Sequence, residues 1–146
     1  NLDYSFTTDN EDGSFTVKTG EQGSGGKILR NQFKIMADFI KSIDFINMEP
    51  LNPDKVRIKE TEDLKVQALS KDVELFAMYL HKKDTVSSRS AFEIDLPPGS
   101  YSLTWIDTKT GGKNIKDLRD HPGGWAIINS IGFSEDIALK LIKISN

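Results

Sequence analysis

Three aromatic residues, Tyr101, Trp105 and Trp125, stand in the part of the chain where apolar and polar residues alternate. An aromatic ring offers a flat apolar face on which a sugar ring can stack. Alternation places Tyr101, Leu103 and Trp105 on one face of a strand, and the leucine between the two rings equally suits a packed core. Trp125 follows Gly123-Gly124 in what reads as a loop, which makes it the more exposed of the three. His81 and His121 are the two histidines. Neither has a second histidine at ligand spacing, and His121-Pro122-Gly123-Gly124 reads as a turn, so no metal is expected. Asp9, Glu11, Asp12 and Gly13 alternate oxygen donors as calcium loops do. The ligand required at about the twelfth position would be Gly20, and the match fails there. Gly23-Ser24-Gly25-Gly26-Lys27 before a helix has the flavour of a phosphate loop. Its glycine spacing is wrong and Ile28 stands where Ser or Thr is needed, which leaves a flexible linker. No cofactor is expected.

Composition narrows the field further. The chain of 146 residues has room for one sizeable core. Lys and Arg are scattered among carboxylates and the net charge is −3, which argues against a nucleic-acid partner. No apolar run approaches the ~20 residues of a membrane span. With no cysteine, disulfides, thiolate metal sites and cysteine nucleophiles are excluded.

The elements that would position these residues begin with Leu2 to Thr8, a candidate strand, and the turn formers Asp9 to Gly13. Phe15-Thr16-Val17 is a weaker strand, and Gly20 to Gly26 is a glycine-rich loop. A helix is predicted from about Lys27 to Ile46, stopped by Pro50. Its apolar residues, among them Ile28, Leu29, Phe33, Ile35, Met36, Phe39, Ile40 and Ile43, cover an arc of roughly 160°, wider than the stripe of a surface helix. Such a helix needs a second partner or self-association, and a homodimer through residues 27–46 is one solution. Beyond Pro53 the period becomes two. Val56–Ile58, Leu64–Ala68, Val73–Leu80, Ala91–Leu96, Tyr101–Ile106, Trp125–Ile128 and Ile137–Ile144 read as strands with Gly, Pro and Asp turns between them. Lys82-Lys83, Lys140 and Lys143 read as solvated strand edges, which discourage edge pairing. The fold class is therefore mainly β, an antiparallel β-sandwich of about seven strands preceded by one long helix.

Two segments carry a family resemblance. Leu2-Asp3-Tyr4-Ser5-Phe6-Thr7, Glu11-Asp12-Gly13, the helix from Leu29-Arg30-Asn31-Gln32-Phe33 to Ile40, and Asp44 to Pro50 resemble the end of the catalytic barrel in bacterial apiosidase-like glycoside hydrolases. Phe92-Glu93-Ile94-Asp95-Leu96, Gly99-Ser100-Tyr101 and Trp105 to Gly111 resemble the β-sandwich that follows that barrel, a domain called collagen-binding in those families.

The resemblance implies residues 1–50 as the last strand, loop and helix of a (β/α)8 barrel and residues 51–146 as the sandwich. Asp3, Tyr4 and Phe6 would then contact the barrel mouth. It further implies that the catalytic carboxyl pair lies on strands outside this chain, so no residue here is assigned a catalytic role. The expected function is a non-catalytic accessory domain of a glycoside hydrolase that braces the barrel. The alternative is a carbohydrate- or matrix-binding module using Trp125, Trp105 and Tyr101. The expected partners are the barrel of the parent chain and polysaccharide. The location implied by the resemblance is secreted, periplasmic or at the cell surface.

Overall fold

The computed structural model describes residues 26–58, 64–83 and 86–144. The strands expected at 2–8 and 15–17, the glycine-rich loop up to residue 25, the acidic loop at 9–13 and the residues Asp3, Tyr4 and Phe6 lie outside the described residues.

Helix α1 spans Gly26–Lys41, five residues shorter at its C-terminus than its apolar pattern suggested. The local chemistry explains the stop. The Ser42 hydroxyl donates to the Phe39 carbonyl at 2.8 Å, while the Ser42 amide is shared between the Asp38 and Phe39 carbonyls. A turn replaces the next helical bond, and a 3-10 turn follows at Phe45–Asn47, where Asn47 bonds back to the Asp44 carboxylate. An ion pair from Lys71 to Asp44 ties this helix end to the sheet.

Among the described residues nine strands follow: β1 Glu49–Pro50, β2 Val56–Ile58, β3 Leu64–Lys71, β4 Leu75–Lys82, β5 Ala91–Leu96, β6 Gly99–Ile106, β7 Lys113–His121, β8 Gly124–Asn129 and β9 Asp136–Ile144. They form two antiparallel sheets. The larger has the order β1-β3-β4-β9-β6-β7, and the smaller β2-β5-β8. The expected helix-plus-sandwich is present, with two strands beyond those expected. β1 is two residues long, and β7 (Lys-Asn-Ile-Lys-Asp-Leu-Arg-Asp-His) is exposed along nearly its whole length, so neither has an apolar alternation to betray it.

Period two sets the core. Phe76, Met78 and Leu80 of β4, Ile137, Leu139 and Leu141 of β9, and Tyr101, Leu103 and Trp105 of β6 point inward. Phe92, Ile94 and Leu96 of β5 meet them with Ala126 and Ile128 of β8. Val73 and Glu74, expected to open β4, instead occupy the β3–β4 turn, with Asp72 and Val73 both at positive φ (51° and 54°). Lys82 is likewise not a solvated edge. It continues the inward row of β4, and its buried ammonium donates to the Val86 carbonyl (3.0 Å) and Ser88 Oγ (2.6 Å) beside the Phe133 ring. Lys140 and Lys143 lie on β9, a central strand, and so guard no edge.

Truncating Phe92, fully buried in this core, should cost about 3–5 kcal/mol as Phe92→Ala. Ile115→Ala, on the exposed β7, should stay within about 0.5 kcal/mol. Urea unfolding followed by tryptophan fluorescence measures both.

Candidate functional site

The aromatic candidates separate cleanly. Tyr101 and Trp105 have no exposed surface. The Tyr101 hydroxyl donates to the Pro97 carbonyl at 2.7 Å and its ring meets His121 edge-on. The Trp105 indole N–H is buried without a hydrogen-bond partner among the described residues. Both rings are core, and neither offers a face to a sugar from outside. Trp125 is different. It lies in strand β8 rather than in a loop, half-buried, with its side chain on the outer face of the small sheet. There the Arg57 guanidinium carbon sits 3.8 Å from the ring centroid and takes one face of the indole. Asp95, opposite Trp125 in register, pairs with Lys55 at 2.5 Å, and Glu93 stands opposite Arg57 and Ile127. The result is one ring set in a frame of alternating charges.

A second candidate is the groove where α1 crosses the outer face of the large sheet. Its floor is made by the small, buried Ala77 of β4 and Ala138 of β9, the buried Ile106 of β6 and the exposed Tyr79 of β4. Ile35, Phe39, Ile40 and Ile43 descend from the helix. Gly111, at φ +76°, lets Ile35 approach the β6–β7 turn; a Cβ there would lie 3.2 Å from Ile35 Cγ1. Two adjoining apolar cavities remain between the helix and the sheet, sharing Phe39, Ile40 and Tyr79. One of about 690 Å³ opens toward Pro50, Leu51 and Val66, and one of about 510 Å³ opens toward Glu135 and Asp136.

The second cavity has a polar end. The Tyr79 hydroxyl donates to Asp136 Oδ2 and the Thr108 hydroxyl to Asp136 Oδ1, each at 2.7 Å. Lys109 pairs with Glu135 at 2.6 Å. Burial, and next the Asp136 carboxylate that accepts its proton, push the Tyr79 phenol up to about 12. At neutral pH it is therefore a fixed donor. Asp136 and Glu135 are chain neighbours at the start of β9, each held by partners of its own. Glycosidic carboxyls instead face each other across the scissile bond. Here the carboxylates fasten the β6–β7 turn to the entry of β9.

Toward the N-terminus the same apolar stripe is exposed, at Leu29, Phe33 (55% exposed) and Met36 (51%), and past the helix end Phe45 and Ile46 are exposed too. The arc read from the sequence thus divides, half onto the sandwich and half into solvent. Sequence reasoning missed the Arg57–Trp125 stack and the Tyr79–Asp136–Thr108 cluster, because each joins residues that are distant in sequence. Of the histidines, His81 is exposed on β4 and His121 points its Nε2 toward the Gly124 carbonyl at 3.2 Å. Among the described residues no three His, Asp or Glu side chains converge as metal ligands would.

These features belong to a fold that occurs within glycoside hydrolases. No protein-family model and no curated protein sequence matches the chain. Among solved structures, a glycoside hydrolase superposes with a TM-score of 0.58 at 15% identity, over 87% of this chain and 30% of that one. A glycoside hydrolase of family 5 from Bacteroides vulgatus gives a TM-score of 0.55 at 12% identity, over 78% of this chain and 24% of its own length. The chain therefore spans less than a third of the enzymes it resembles in structure.

An ultraviolet titration at 295 nm should find the Tyr79 phenol ionising near pH 12 rather than near the ordinary value of about 10. The folded-state value is the higher one. The stability tied to the protonated phenol is thus complete below about pH 10 and lost as pH rises toward 12. Asp136→Asn should lower the Tyr79 value while burial still holds it above 10.

Proposed function

We propose that this chain is a non-catalytic accessory portion of a glycoside hydrolase, in which residues 51–146 form a sandwich that braces the catalytic barrel. In this reading residues 1–50 complete the barrel, and Asp3, Tyr4 and Phe6 reach its mouth. The chemistry is done by a carboxyl pair on the barrel's other strands. The enzyme works outside the cytoplasm on a polysaccharide. One observation carries the reading: the apolar stripe of α1 is seated on the sheet through Ile35, Phe39 and Ile40, while Leu29, Phe33 and Met36 of the same stripe are exposed. A helix whose apolar stripe is wider than its seat can bury the remainder against a second body. The glycoside hydrolases with the same fold contain more than twice as much chain again, in which a second body can lie.

A second reading, a carbohydrate-binding module, draws on Trp125 alone among the aromatics, since its ring lies on an outer face. Arg57 covers one side of that ring, which leaves room for a single stacked sugar and favours the first reading.

The test uses the reading frame that contains Asn1. A barrel with strand-end carboxylates encoded in the same protein is expected. In that protein Phe33→Glu together with Met36→Glu should lower the melting temperature by several degrees and leave the sandwich itself folded. Placed in the 146-residue chain alone, the same pair should change the melting temperature little, because both side chains are already in water. Hydrolysis of aryl glycosides by the chain alone would defeat the proposal. Calorimetric binding of a polysaccharide that disappears in Trp125→Ala would favour the module instead.

A further inference from the structure

The chain changes character at Ile43. From there onward it is fastened to the sandwich, and Ile43 itself is buried. Lys71 of β3 pairs with the Asp44 carboxylate, which also accepts from the Asn47 side-chain amide at 2.9 Å. β1 then pairs with β3, and the Leu51 amide donates to the Ala68 carbonyl at 2.9 Å.

Upstream the attachment is thinner. Among the described side chains of α1, Leu29 to Lys41, none is buried. The seat consists of Ile35, Phe39 and Ile40, each half-buried, above the cavities of about 510 and 690 Å³. A void beneath a side chain forfeits the dispersion contacts that neighbouring atoms would supply. The core of the sandwich is built from strand and loop residues on the other side of the large sheet, and no described α1 side chain enters it. Between the two regimes lies a short irregular passage. The Ser42 amide is shared between two carbonyls, and the Ile43 amide reaches the Ile40 carbonyl at 3.3 Å. Asp44 has left the helical region, at φ −85° and ψ 61°. A change of φ and ψ at Ser42 and Ile43 disturbs these end bonds and leaves the sheet intact.

We propose that α1 is a hinged arm, which leaves its seat as one unit by turning at Ser42 and Ile43 while Asp44 stays pinned to Lys71 and the sandwich stays folded. The two parts differ in how much apolar surface they bury, which is the condition for one to open without the other. A helix of 16 residues is marginal in water by itself, so α1 loses amide protection when it leaves the sheet. A body that gripped Phe33 and Met36 would carry the arm with it, and the sandwich would then be joined to that body by a hinge. The inference does not depend on the accessory-domain reading, because the arm swings in the 146-residue chain itself.

Native-state hydrogen exchange on that chain reads the opening. Amides from Phe33 to Lys41 should exchange about a hundredfold faster than those at the centres of β4, β6 and β9. The Leu51 amide should stay with the strands, which places the boundary at the proposed hinge. Phe39→Ala removes the largest side chain of the seat and should speed α1 exchange roughly tenfold. Both tryptophans lie in the sandwich, so the urea midpoint of their fluorescence should not move in that variant. Exchange of α1 only at the strands' rate would overturn the proposal, as would a lowered tryptophan midpoint in Phe39→Ala, since either makes the helix part of one cooperative unit. So would α1 amides that are unprotected from the outset and indifferent to Phe39→Ala, which would mean that no seat forms.

Discussion

Two sheets of unequal size are held face to face by apolar side chains delivered alternately from each strand, and the rest of the molecule depends on that dry layer. Trp105, Tyr101, Phe76 and Phe92 supply its bulk, and the branched residues of β9 and β5 fill between them. Each full-size side chain withdrawn from water contributes roughly 1.5–3 kcal/mol, against a net stability for a domain of only about 5–15 kcal/mol. The register of every strand follows from this, since a slip by one residue would turn its buried set outward. The same layer tolerates one polar defect, the buried indole N–H of Trp105. The large apolar area of that ring offsets the ~1–3 kcal/mol that an unpaired donor costs.

The helix obeys a different constraint. Its contact with the sandwich is made through Ile35, Phe39, Ile40 and Ile43, over a floor kept low by Ala77, Ala138 and Gly111. Two adjoining cavities remain beside that contact, so the helix rests on the sheet rather than interlocking with it. The polar fastening at the sheet's end, Tyr79 and Thr108 on Asp136 with Lys109 on Glu135, keeps the floor in place independently of the helix.

Strands that bury one face were legible in the sequence because burial writes a period of two. β5, whose burial alternates from Ala91 to Leu96, is the clearest case. β7 was not legible: at the edge of the sheet, with both faces largely wet, it has nothing to alternate. Val73 misled because a β-branched residue beside an apolar run reads as strand, yet here it takes a left-handed turn position that glycine would ordinarily fill. Of the site, the sequence disclosed which aromatics exist and that Tyr101 and Trp105 share a face. It could not say that this face is the inner one, nor that Arg57 reaches across β5 to Trp125. Both depend on which strands become neighbours, and that is decided by the whole chain.

The position of β9 has a consequence for how the chain is made. It is the last strand in sequence but lies in the middle of the large sheet, between β4 and β6. During vectorial synthesis the β3–β4 and β6–β7 hairpins emerge first, each with one long margin that has no neighbour until β9 follows. Completion of the sheet thus waits for β9 and joins segments far apart in sequence, which slows folding. In that interval the nascent protein exposes the kind of surface that chaperones recognise.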